Sequence, residues 1–189
     1  SSPILKLTEE QASALEQKLN KDDDTSDYKC FIVMRCWHPR AANIIKNVIN
    51  YDPNEIVLMP LYPQYSAATS GSSFKEWKET CKKNGFQAKT STICCYPNDE
   101  NFVQAHKDEI LKKINNLKTF KLIFSAHGLP EKNIKKGDPY QWQVEQSVER
   151  IVKSLDIKNL DWVLSYQSRV GPLKWIGPST EETIIENSK

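Results

Sequence analysis

Residues Phe120 to Tyr140 read FKLIFSAHGLPEKNIKKGDPY, and the order of residue types in this stretch decides the fold. Leu122, Ile123 and Phe124 form an apolar run short enough for a buried strand. The run gives way to Ser125-Ala126-His127-Gly128. Gly128 and Pro130 then break regular structure, so His127 is expected just past the carboxyl end of the strand. In open parallel α/β sheets, that end is where ligands bind. The stretch closes on Gly137-Asp138-Pro139-Tyr140, where Asp138 can cap a helix and Pro139 suits its first turn. A strand, a polar loop with one histidine and a capped helix make the frame of an active site. The plain alternative is a histidine that only hydrogen-bonds within its loop.

Working outward, apolar runs alternate with helical patterns. Thr8-Glu9-Glu10-Gln11 has the spacing of a capping box and predicts a helix from about Thr8 to Leu19. The charged linker KDDDTSD follows, read as a solvated loop. Lys29 to Arg35 (KCFIVMR), Glu55 to Leu61 (EIVLMPL), Lys89 to Tyr96, the run before His127 and the run begun by Trp162-Val163-Leu164 predict five strands. Between them, Pro39 starts a helix with an apolar stripe of Ile44, Ile45, Val48 and Ile49. Another carries Trp77 and Cys81 and stops near Asn84-Gly85. A third runs over Phe102, Ile110, Leu111, Ile114 and Leu117, and a fourth over Val144, Val148, Ile151, Val152 and Leu155. Pro178-Ser179-Thr180-Glu181-Glu182 opens a last one. This alternation predicts an α/β fold of parallel strands flanked by helices.

The bulk properties narrow the class. The 189 residues are 39% hydrophobic and 26% charged, which fits a globular protein with one good core or two small lobes. A net charge of +2 leaves no general nucleic-acid footprint. The five cysteines are odd in number and include no C-x-x-C pair, so a reducing, cytoplasmic setting is expected. Adjacent Cys94 and Cys95 on a strand would point to opposite faces. No run approaches the about 18 apolar residues of a membrane span. The chain opens at Ser1 rather than Met, so a piece of something longer is expected.

Chemistry gathers at the predicted strand ends: Arg35-Cys36-Trp37-His38, Tyr62 to Ser73, Ser125 to Pro130, and Tyr166 to Trp175. On one sheet edge these would make a wide cleft with aromatic walls and several donors. Such a cleft suits a flat apolar ligand with carboxylate arms. The alternative is that Trp37, Tyr62, Tyr65 and Trp175 are ordinary packing residues. Among the histidines, His127 alone sits in a motif-like loop. His106 reads as a surface residue among Lys107 and Asp108, and His38 as a cap for the helix that Pro39 starts.

The motifs Ser125-Ala126-His127-Gly128-Leu129-Pro130 and Lys136-Gly137-Asp138-Pro139-Tyr140 resemble the ferrochelatase signature. Tyr62-Pro63-Gln64-Tyr65-Ser66, Thr69-Ser70-Gly71-Ser72, and Tyr166-Gln167-Ser168-Arg169-Val170-Gly171-Pro172 with Trp175 extend the resemblance over nearly the whole chain in the family's order. It implies two similar α/β lobes with a porphyrin cleft between them. The boundary would fall near Pro97 to Asn101, giving a first lobe of residues 1–97 and a second of 98–189. It implies that His127 is the histidine that takes porphyrin protons or guides the metal, and that Arg35, Tyr62, Ser66, Tyr140 and Trp175 line the porphyrin cleft. Cys36 falls where relatives often carry Tyr or His. Ala67 falls where cluster-bearing members have a cysteine, so no iron–sulfur cluster and no other tightly bound cofactor is expected. The resemblance implies ferrous iron as a substrate. Family members also carry an N-terminal strand with a Gly-Gly-Pro-type loop and a C-terminal Ser-Asp-His-x-x-Glu-type motif, both outside this sequence.

The resemblance therefore implies a ferrochelatase, a lyase of haem biosynthesis that inserts Fe2+ into protoporphyrin IX. Coproporphyrin is the alternative substrate, and a non-catalytic porphyrin- or haem-binding piece the alternative role. Many members work at a membrane surface, which nothing in these residues addresses. A serine hydrolase using Ser125 or Ser168 with His127 is disfavoured, because Ser125 lacks a G-x-S-x-G elbow.

Overall fold

The computed structural model describes residues 2–188. The chain divides into two compact units, one of Ser1–Met59 with Ala68–Thr92, the other of Pro60–Ala67 with Ile93–Lys189.

The first unit holds helix α1 (Ile4–Asp22), helix α2 (Ala41–Tyr51), strand β1 (Glu55–Leu58), helix α3 (Ser72–Lys83) and strand β2 (Lys89–Thr92). β1 and β2 pair in parallel from Glu55↔Lys89 to Leu58↔Thr92. The stripe read in α2 is real: Ile45 and Val48 are buried with Ala41 and Trp77, and Ile44, Ile49 and Phe31 pack around them. α3 ends where the sequence said, with Gly85 at φ 62° after Asn84, a conformation that favours glycine.

Several expectations fail here for local reasons. α1 begins at Ile4, not Thr8, and Thr8 Oγ1 donates back to Ile4 O at 2.7 Å inside the helix, so the capping box does not form. α2 begins at Ala41, and its box is closed by Arg40 and Asn43 rather than by His38; Arg40 N–H donates to Asn43 Oδ1 at 2.9 Å. Lys29–Arg35 is not a strand, because its donors go elsewhere. Cys30 N–H donates to Glu16 Oε2 at 2.7 Å, and Met34 N–H to Pro39 O at 2.7 Å. β1 stops at Leu58, ahead of Pro60, which has no N–H for a ladder. β2 stops at Thr92, opposite the end of β1, so Cys94 and Cys95 lie beyond it.

The second unit holds helix α4 (Glu100–Ile114), strand β3 (Leu122–His127), the short helix α5 (Glu131–Lys135), helix α6 (Tyr140–Leu155), strand β4 (Trp162–Gln167) and helix α7 (Thr180–Asn187). β3 and β4 pair in parallel from Leu122↔Trp162 to His127↔Gln167. The expected five strands are thus four among the described residues, in two separate parallel pairs. Val144, Tyr166, Leu129 and Ile176 form the core, with α6 turning its apolar face inward. Asp99 caps α4 by accepting from Phe102 N–H at 2.9 Å, and Ser179 caps α7 by accepting from Glu182 N–H at 3.3 Å. Among the described residues, no helix is long and apolar enough to cross a membrane.

Candidate active site

His127 is the last residue of β3, not the first beyond it, and its neighbour across the ladder is Gln167. The imidazole Nδ1 lies 2.9 Å from Gly128 O. A carbonyl can only accept, so Nδ1 carries a proton in this contact, and in the neutral ring Nε2 is the atom with the lone pair. Among the described residues, no hydrogen bond engages Nε2, and the side chain is exposed. The contact through Nδ1 fixes the ring and leaves Nε2 without a hydrogen-bond partner among the described residues.

The loop behind the histidine is fixed by β-type contacts. Gly128 N–H donates to Gln167 O at 2.7 Å, Ile176 N–H to Leu129 O at 3.0 Å, and Glu131 N–H to Lys174 O at 2.9 Å. Glu131 Oε1 also meets Lys174 Nζ at 3.0 Å. Lys174 beside it holds the Glu131 carboxyl below its ordinary value, against an opposing push from burial. The Trp175 ring lies over Gly128, where a Cβ would come within 3.2 Å of Trp175 Cε3 and 2.9 Å of Gln167 O. Glycine is required here by close approach. Trp175 Nε1 donates to Val170 O at 3.1 Å, which sets the tilt of the ring.

Tyr140 opens α6, and its hydroxyl donates to His127 O at 2.9 Å. Burial pushes its phenol above the ordinary value, so it remains a donor. Two residues earlier, Asp138 divides its carboxylate. One oxygen accepts from Tyr140 N–H at 3.1 Å; the other accepts from Ser66 Oγ at 2.8 Å and Ala67 N–H at 2.9 Å. The Pro60–Ala67 segment is seated on α6 at two more points: Gln64 Nε2 donates to Ser147 Oγ at 2.8 Å, and Tyr65 N–H to Gln143 Oε1 at 2.7 Å.

His127, Tyr140 and Trp175 are therefore brought together around the end of β3, and Ser66 is joined to them through Asp138. Ser66 is 1% exposed with its hydroxyl donated to that carboxylate, whereas Tyr62, 50% exposed, presents its ring to solvent. Arg35 lies in the first unit. Its Nε stands 3.3 Å from Glu76 Oε2, while Arg40 grips both oxygens of that carboxylate at 2.9 and 2.8 Å. Two guanidiniums share one carboxylate, so the group keeps one unit of positive charge. His106 is a surface residue as read, with Nδ1 3.0 Å from Phe102 O. Ser125 Oγ pairs with Thr180 Oγ1 at 2.9 Å, not with His127. Asp138 and Gln143 were missed as organising residues. Asp138 was legible only as a cap, and Gln143 carries no motif at all. Among the described residues, no group of three or more His, Cys, Asp or Glu is arranged to hold a metal.

The ferrochelatase family model matches residues 1–189, and the chain belongs to the ferrochelatase family. It is 73% identical over 189 residues to a protein named ferrochelatase from Pelagibacter ubique, covering all of this chain and 55% of that protein. Ferrochelatases of Wolbachia from Drosophila simulans and of Caulobacter vibrioides NA1000 are each 46% identical over 97% of this chain, which covers 59% and 52% of them. The chain thus spans little more than half the length of these relatives.

Proposed function

We propose that this chain carries the metal-insertion site of a ferrochelatase, which places Fe2+ into protoporphyrin IX to give haem. The carrying observation is the exposed His127 imidazole, held through Nδ1 on Gly128 O at the end of β3 with no hydrogen-bond partner on Nε2 among the described residues. Insertion requires two pyrrole N–H bonds to break and two protons to leave while iron sheds water. In the neutral ring, a fixed Nε2 can accept those protons in turn and pass them to solvent. Tyr140 keeps the histidine's own carbonyl in place, and Trp175 and Tyr62 offer flat apolar faces for the macrocycle. Ser66, through Asp138, sets the segment on which Tyr62 stands. Iron enters as substrate and the reading requires no resident cofactor. Five free thiols fit a reducing, cytoplasmic setting.

The test is metallation of protoporphyrin and, in parallel, coproporphyrin by the purified 189-residue chain, followed by loss of porphyrin fluorescence. Faster metallation of protoporphyrin supports the reading. Faster metallation of coproporphyrin moves the same chemistry to that substrate. Because the chain spans little more than half of its relatives, binding without metallation would favour a porphyrin-binding piece.

A further inference from the structure

Trp162, Leu164 and Tyr166 alternate along β4 and so share one face of the strand. Glu145, Val148 and Glu149 share one stripe of α6. These six residues, all in the second unit, help line a cavity of about 270 Å³ between the helix and the strand. Val148 and Leu164 make apolar wall, and Trp162, 37% exposed, makes an aromatic one. The two glutamates stand four residues apart on the helix, a spacing at which like charges repel. Among the described residues neither meets a lysine or arginine in an ion pair. Glu145 Oε1 accepts from Gln141 Nε2 at 2.9 Å and Glu149 Oε2 from Gln146 Nε2 at 3.4 Å, both neutral amides. Tyr166 is 2% exposed, and its hydroxyl has no hydrogen-bond partner among the described residues. Buried polar groups are nearly always partnered, so a leftover hydroxyl on a residue of the cavity wall points to a ligand.

We propose that the cavity between α6 and β4 binds a small organic cation of the alkylammonium class. Apolar walls with a few convergent polar groups are the usual make-up of a small-molecule site, and the volume suits a small ligand. The ammonium group relieves the repulsion between Glu145 and Glu149 and donates to their oxygens. The Tyr166 hydroxyl oxygen is a further acceptor in the wall. The indole face of Trp162 attracts the same positive charge, while Val148 and Leu164 cover the alkyl body. A hard metal ion fits poorly. Such ions take about six or more oxygen ligands, and two carboxylates beside apolar walls do not supply them. Among the described residues no group of three or more His, Cys, Asp or Glu is arranged to hold a metal.

The test titrates the 189-residue chain with butylammonium and, separately, with its neutral counterpart butanol, by calorimetry and by the nuclear resonance of the Trp162 indole N–H. The expected result is one saturable site for butylammonium with a shifted Trp162 signal, and binding of butanol at least about tenfold weaker, because the charge-assisted hydrogen bonds are lost. Glu149→Gln keeps the shape of an exposed side chain, so the fold should stand while affinity falls about tenfold. Glu186→Gln, an exposed glutamate on α7, should bind as the parent does. Absence of saturable binding, equal affinity for butanol, or parent-like affinity in a folded Glu149→Gln would overturn the proposal. Displacement of butylammonium by an equal concentration of Mg2+ would also overturn it, by assigning the carboxylates to a hard cation. Neither readout involves porphyrin or His127, so the result is independent of the metal-insertion reading.

Discussion

The Tyr140 hydroxyl donates to the main-chain oxygen of His127 across 2.9 Å, so the first residue of α6 holds the last residue of β3. Tyr140→Phe keeps the ring and removes only this bond. A net loss of about 1 kcal/mol in stability is expected, with slower metallation and little change in porphyrin affinity. Denaturant unfolding and a rate assay on the same preparation check this. Full activity with unchanged stability would mean that the bond holds nothing in place.

Asp138 accepts three hydrogen bonds that tie the Ser66–Ala67 stretch to the start of α6. Asp138→Ala should cost about 2 kcal/mol or more, because a charged acceptor is lost from several donors at once. Amide exchange localises the effect. The Ala67 and Tyr140 amides should lose protection well before those of α4, and uniform protection would count against this role.

Gly128 has no room for a side chain, since a Cβ would stand 2.9 Å from Gln167 O and 3.2 Å from Trp175 Cε3. Gly128→Ala should destabilise by about 1–3 kcal/mol and push the Trp175 ring aside. A lowered melting temperature with a shifted tryptophan emission is the expected pair of signals. An unchanged melting curve would show the loop to be looser than drawn.

The Glu131–Lys174 pair lends the site a pH dependence. Lys174 depresses the Glu131 carboxyl below its ordinary value. The folded state therefore binds this proton less readily than the unfolded chain. The stabilisation is present above about the ordinary glutamate value and is lost as pH falls through the depressed one. Glu131→Gln should flatten the acid limb of the stability curve, and its near-neutral value should drop only slightly, the pair being solvent-screened. An acid limb of unchanged steepness in the variant would assign it to other carboxylates.

What the sequence made legible, and what it hid, follows from range. The apolar stripe of α2, the stop at Asn84-Gly85 and the helix opening at Pro178–Glu182 are written within a few residues and are found as read. His127 was singled out because a strand-like run ended on it beside Gly128. The failures involve partners distant in sequence. Lys29–Arg35 has strand composition, but the Glu16 carboxylate and Pro39 O take its amides. Cys94 and Cys95 were assigned to opposite faces of a strand that in fact ends at Thr92, because β1 ends opposite it. Asp138 looked like a local cap, and only folding brings Ser66 to its second oxygen. Arg35 was read at a strand end, and only folding shows that it shares Glu76 with Arg40.

The most direct measurement is the single-turnover rate of Fe2+ insertion into bound protoporphyrin by the parent chain and by His127→Ala, each shown to be folded and to bind the porphyrin. Loss of a positioned base should slow insertion by about 10²-fold or more with affinity nearly unchanged. A folded, porphyrin-binding His127→Ala chain that inserts iron at the parent rate would contradict the assignment of Nε2 as the proton acceptor.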